Sequence, residues 1–196
     1  MRSLTLPSLL LAAGSALLLT TACSRPDSAE QQEATSAATT PPAAAPAPAL
    51  DDPTIVAIFD AANTYDIETG GLAVEKSTNP EVKAMGENFV AAHTQVRQKG
   101  RDLAAKLGVT PTAPAENPLG DAHVAAMANL RSLSGAEFDK AWLDHEIAFH
   151  QAVIDAVNTT LLPALQNEEV KALVESVAPA FVAHMEGAKA LRAKLQ

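Results

Sequence analysis

Four of the five histidines in this chain, His93, His145, His150 and His184, fall inside amphipathic stretches. Imidazole changes charge near neutral pH and its ring nitrogens ligate zinc, copper and iron, so histidines gathered in one interior would bind a metal or move protons. His93, His145 and His184 each lie on the apolar stripe of a different segment, while His150 sits on an adjoining edge beside Glu146. Oxygen ligands for such a site come from Glu68 or Glu146, with Tyr65 and Asp66 close by in sequence. His123 lies in a connecting stretch and is expected to face solvent.

The pattern also excludes chemistry. Di-iron sites in helical bundles use a glutamate three residues before a histidine on two helices, but those places hold Val90, Ile147 and Phe181 here. A simpler site, two or three histidines with one glutamate around zinc, copper or iron, is compatible with the residues. So is a set of half-buried core histidines bonded to carboxylates and water. No Gly-rich phosphate loop, nucleophile elbow or His-Glu-x-x-His helix occurs, and no catalytic residue is assigned.

The elements that must carry these residues are helices. Phe138, Trp142, His145, Phe149, Ala152 and Ala156 recur at spacings of three and four, one face of a helix that opens at Ser134. Ser134 followed three places later by Glu137 predicts a capping box. Asp52-Pro53 and Asn79-Pro80-Glu81 open two earlier helices, Gly108 closes the second, and Asn167 caps the last, which carries Val170, Val177, Phe181 and His184. The connections run short, long, intermediate. That order predicts an all-α, ferritin-like four-helix bundle: two antiparallel hairpins joined by a long crossover, Val109 to Leu133, containing a short helix with Val124, Met127 and Leu130. On the axial rise of 1.5 Å per residue, a first turn near Ser77 sets His93 level with residues 63–66. A second turn near Pro163 would set His184 closer to His145 than to His150.

Composition narrows partners and compartment. A net charge of -9 with no Lys/Arg-rich run disfavours nucleic acid and anionic lipid surfaces. Arg2 followed by the Leu/Ala-rich run Leu4 to Leu19 resembles a secretory signal peptide over residues 1–22. The run ends in Leu19-Thr20-Thr21-Ala22-Cys23, similar to a bacterial lipobox in which the only cysteine is acylated, although its small residues also fit ordinary export cleavage. Residues 23–50 then form an Ala/Pro-rich stretch without an apolar period, a disordered tether, and residues 51–196 form the bundle.

Asn79-Pro80-Glu81-Val82-Lys83, His93, Ala104-Ala105-Lys106-Leu107-Gly108-Val109, Ser134 through Asp139, Trp142-Leu143, His150 and Pro179 with His184 together resemble DUF4142 over about residues 54–195. The chain departs from that pattern at Ala92, where the family usually has aspartate. The resemblance implies an exported bacterial ferritin-like bundle of undetermined activity, and its pattern favours His150 over His145 as the partner of His184.

Two functions follow as expectations. One is a periplasmic, outer-membrane-anchored module that binds an envelope protein or small ligand; the other is a metal-binding or redox protein built on the histidines. The anchor has its own test: Cys23→Ser should abolish incorporation of labelled palmitate and release the protein from membranes. A wild-type chain that never takes up the label is not a lipoprotein.

Overall fold

The computed structural model describes residues 50–195. The expected signal peptide, Cys23 and all of the expected tether except Leu50 lie outside the described residues. The helices are α1 (Asp52–Lys76), α2 (Pro80–Leu107), α3 (Pro118–Ser132), α4 (Gly135–Ala156), a π-helical turn (Val157–Leu161), a short α5 (Leu162–Ala164) and α6 (Glu168–Lys194). No strand occurs among the described residues, and none of their helices is long and apolar enough to cross a membrane.

Local chemistry starts and stops these helices as proline and the cap residues dictate. Asp51 accepts the Thr54 N–H at 2.9 Å, and Asn79 and Asn167 each accept two first-turn N–H groups. Gly108 ends α2 in the left-handed conformation at φ 66°. Ser134 departs from expectation, since its hydroxyl makes no cap bond. The chain enters α4 through Gly135 at φ 56°, a left-handed step that turns Ser134 away from the first-turn N–H groups.

The helix pairs run as the connection lengths imply. α1 and α2 are antiparallel, with Asp60 bonded to Arg97 and Arg101. α4 and α6 are antiparallel, with Asp144 paired to Arg192. α2 lies antiparallel to α6, from the Lys194–Glu81 pair at one end to Lys106 and Glu169 at the other. Trp142 donates its indole N–H to the Thr69 carbonyl at 3.0 Å, and Ser77 donates to Asp139 at 2.6 Å, which sets α1 antiparallel to α4. α2 and α4 therefore point the same way, and the long crossover carries the chain between opposite ends. Within it α3 climbs beside α1, ending where Lys76 donates to the Leu130 carbonyl at 3.1 Å.

Two apolar clusters fill the interior. Phe89, Phe138, Trp142 and Leu191 belong to one, and Ile55, Leu161, Leu165 and Val174 to the other. α3 buries His123, Met127 and Leu130 while Val124 is 68% exposed, so its inner face is rotated from the one the apolar pattern suggested. His123, expected in solvent, is buried.

The α1–α2 contact is backbone on backbone. A methyl group on Gly70 would meet the Gly86 carbonyl oxygen at 2.9 Å, and one on Gly86 would meet the Gly70 oxygen at 2.8 Å, whereas one on Gly71 meets nothing. Gly70→Ala and Gly86→Ala should each lower unfolding free energy by about 1–3 kcal/mol in urea titrations. Gly71→Ala should be neutral or stabilising by up to about 1 kcal/mol. Equal effects at all three would disprove the close approach.

Candidate metal centre

Between the two apolar clusters lies a layer of polar side chains, one or two from each long helix. α1 supplies Asn63 and Asp66, α2 His93, α4 Glu146 and His150, and α6 His184. All are buried except His184, which is half-buried. The imidazole centroids of His93, His150 and His184 lie 5.0 to 5.7 Å apart, and one ligand atom from each falls within 4.8 Å of the others. The first-turn geometry held: His93 faces Asn63 and Asp66.

The hydrogen-bond network assigns the tautomers. Asn63 donates its amide N–H to the Phe59 carbonyl at 2.8 Å, which aims its Oδ1 at His93 Nδ1 at 3.0 Å. His93 therefore carries its proton on Nδ1 and a lone pair on Nε2. His150 donates from Nδ1 to the Glu146 carbonyl at 2.9 Å, so its Nε2 also bears a lone pair, and that atom is buried without a partner. His93 Nε2 meets His184 Nδ1 at 3.1 Å. A proton on His184 Nδ1 bridges them; an ion in its place would have three nitrogens around it. Fixing the outer ring nitrogen so that the inner one ligates is the usual second layer of a histidine metal site.

Electrostatics keep the ligands in the required form. Burial, then the neighbouring His150 and His184, hold the His93 pKa down to about 3. Burial holds His150 down to about 4 against its bond to the Glu146 carbonyl, and burial lowers His184 too. All three are neutral at physiological pH. The carboxyls move the opposite way. Burial raises Asp66 well above the usual range, with Glu146 adding to it, and burial pushes Glu146 up to about 8.

Asp66 Oδ2 lies 3.3 Å from His93 Nδ1, and Glu146 Oε2 and Asp66 Oδ1 lie 3.6 and 3.9 Å from His150 Nδ1. Protonated, Asp66 and Glu146 hydrogen-bond to each other, with Thr69 also bonding Glu146, while no N–H is bonded to their oxygens. Two buried carboxyls behind two histidine rings are what a site built to balance a cation presents.

Two expected ligands go elsewhere. His145 packs its ring against Phe149 at 5.8 Å, held down to about 4 by burial and by His123, and does not join the cluster. Glu68 pairs with His123 Nε2 at 2.7 Å, and His123 stacks on Tyr65 at 4.2 Å. His150 rather than His145 meets His184 because Pro163 is not the turn. The π-helical turn and α5 prolong α4, and the chain reverses at Gln166-Asn167. Asp66 and Asn63 hold the second-layer places that the sequence reading gave to Glu68 as a ligand. Their signal was visible: each lies four residues after an apolar-stripe residue, Ala62 and Phe59, and so falls on the inner face of α1.

A four-helix bundle with a histidine and carboxyl layer at mid-height is thus the class. The chain belongs to DUF4142, a family described as a domain of unknown function, whose model matches residues 37–191 and so reaches back into the Ala/Pro-rich segment. Among solved structures it is similar to a DUF305 fragment from Deinococcus radiodurans, 16% identical with a TM-score of 0.63 over 73% of this chain and 95% of that one. It is also similar to CopM in the Cu(II)-bound form, 14% identical with a TM-score of 0.58 over 75% of this chain and all of that one. No curated protein sequence matches the chain. At these identities the likenesses define the fold.

The shifted groups dictate how stability of the metal-free protein depends on pH. Unfolding below about pH 6.5 lets the buried histidines take up protons that the folded state refuses until about pH 3 to 4, so stability falls as pH drops. Glu146 keeps its proton to about pH 8 when folded but loses it near 4.5 when unfolded, so stability also falls as pH rises through that window. The histidines outnumber the carboxyls below pH 6.5. The melting temperature should peak near pH 6.5, with a shallower alkaline limb in Glu146→Gln. A melting temperature that climbs steadily from pH 6.5 to 8 would contradict this.

Proposed function

We propose that the protein binds one transition-metal ion, copper or zinc, through His93, His150 and His184. A single observation carries the reading: three neutral imidazoles each place a ligand atom within 4.8 Å of the others, and two of them, His93 and His150, are locked from behind with the lone pair on the inner nitrogen. Three nitrogens leave a coordination position open, and half-buried His184 lies where an ion or small molecule would reach it. Asp66 and Glu146, which with His150 form a second buried group able to hold a metal, supply negative charge to a divalent ion, each giving up a proton as the ion enters.

Copper ranks ahead of zinc and iron for a nitrogen site of this kind. The Cu(II)-bound state of the similarly folded CopM supports the same order. The export signals around Leu4 to Leu19 and Cys23 put this binding in the bacterial envelope, with lipid on Cys23 as the membrane anchor and the outer membrane as the destination. The Ala/Pro-rich segment serves as the spacer.

Protein purified without a polyhistidine tag should bind one equivalent of Cu(II) or Zn(II) by elemental analysis. Excess ion at about a hundred times Kd adds about 2.7 kcal/mol, a rise in melting temperature of roughly 5–10 °C. His93→Ala and His184→Ala should lose the metal and the rise, and His145→Ala should keep both. No bound metal, with melting unchanged on adding either ion, ends the proposal.

A further inference from the structure

A second feature lies outside the metal layer. A cavity of about 630 Å³ opens between α1, α4 and α6, from Leu50 and Leu161 at one end to Asn63 and Phe181 at the other. Ala152 and Ala156 continue the apolar stripe of α4, yet both are exposed, because they face this space rather than another helix. At that height α4 passes into the π-helical turn, a departure frequent at functional sites. Packed interiors leave few voids larger than a water molecule, whereas ligand pockets span about 300–1,000 Å³.

Size and wall chemistry define what fits. An apolar cavity of about 150 Å³ takes up benzene, so this one accommodates roughly 20 carbon atoms. The walls are aliphatic apart from Phe59, Phe181 and four polar residues, Asn63, Asn158, Thr160 and Glu175. The deep polar group, Asn63, is fully buried and already uses its amide N–H on Phe59 and its oxygen on His93. The second amide N–H of Asn63 is the one polar group left at an inner end otherwise walled by Ala62 and Phe181, so the inner end of the occupant is hydrocarbon. The rim is different: Asn158 and Thr160 are exposed hydrogen-bonding side chains, and Glu175 is the one ionisable residue lining the cavity. An anionic headgroup would meet that negative charge with no cation to offset it.

We propose that this cavity binds the acyl chain of a single-chain lipid with an uncharged or zwitterionic headgroup, the methyl end against Asn63 and Phe181 and the headgroup at Asn158 and Thr160. The site shares Asn63 and Phe181, whose ring lies 5.1 Å from His93 and 5.6 Å from His150, with the surroundings of the histidines, but no histidine lines it and it stands whether or not they hold metal.

The test uses the full chain and the neutral fluorescent probe N-phenyl-1-naphthylamine. One probe should bind per chain, and monoolein should displace it at concentrations where oleate does not. Ala156→Trp fills the cavity from an exposed helical position and should weaken probe binding at least tenfold with melting unchanged; Ala152→Trp serves the same purpose should the first variant misfold. His184→Ala, which removes a proposed metal ligand, should leave probe binding intact. Absence of saturable binding, or equal binding in both tryptophan variants, overturns the proposal. Displacement by oleate as readily as by monoolein overturns the ligand class. Binding that appears only after residues 1–49 are removed would mean that the chain's own N-terminal segment occupies the cavity, and overturns it as well.

Discussion

The structure turns on the cost of holding polar groups in the middle of an apolar bundle. A buried imidazole or carboxyl forfeits hydration worth several kcal/mol unless something inside answers it. Here the answer is built one ring at a time. Asn63 holds His93, the carbonyl of Glu146 holds His150, and His93 holds His184. Asn63 is itself held by Phe59, so the orientation of His93 depends on backbone of α1 rather than on another mobile side chain.

That layer needs the helices at fixed heights. The Gly70 and Gly86 contact brings α1 and α2 together closely enough for backbone to touch backbone, two turns or so from His93. On the other side, the indole N–H of Trp142 on the Thr69 carbonyl ties α4 to α1 one turn from Glu146. Both ties adjoin the apolar cluster that contains Phe89 and Phe138, the glycines against Phe89 and Ala73 and the indole within it. The opposite half is looser: beyond the histidines, α4 parts from α1 and the cavity opens. One end of the bundle thus sets the register of the polar layer, and the other leaves room beside it.

Much of this was legible in the sequence, for reasons that are local. Helix positions followed from apolar spacing and cap residues, and the two hairpins from the lengths of the links. The height of His93 followed because the first turn is three residues long and leaves no freedom. The second turn was not legible in that way. Pro163 looks like a helix end, but proline is tolerated in a first helical turn, and it sits in the short α5. A shift of the reversal point by a few residues moves the facing position by twice as many, enough to exchange His145 for His150. His123 and Glu68 were misread for a related reason. A short helix in a crossover has no fixed rotation until it packs, and α3 turned His123 inward to Glu68 and Tyr65, removing Glu68 from the ligand set. The Ser134 cap failed because a left-handed glycine followed it, which a spacing rule does not detect.

The remaining question is whether such a layer needs an ion at all, since histidines and carboxyls also occur in bundle interiors as structural groups. A structural layer is expected to close on itself, every donor meeting an acceptor. This one does so on its outer side and not on its inner side. Asn63 and the Glu146 carbonyl satisfy the outer nitrogens and His184 meets the inner nitrogen of His93, while His150 Nε2 is left without a partner. Bonding His150 from behind and leaving its other nitrogen bare costs stability with no structural return, since an apolar side chain of similar volume would fill the same space without the penalty. The asymmetry is accounted for when that bare nitrogen has a cation to meet and the carboxyls have its charge to balance.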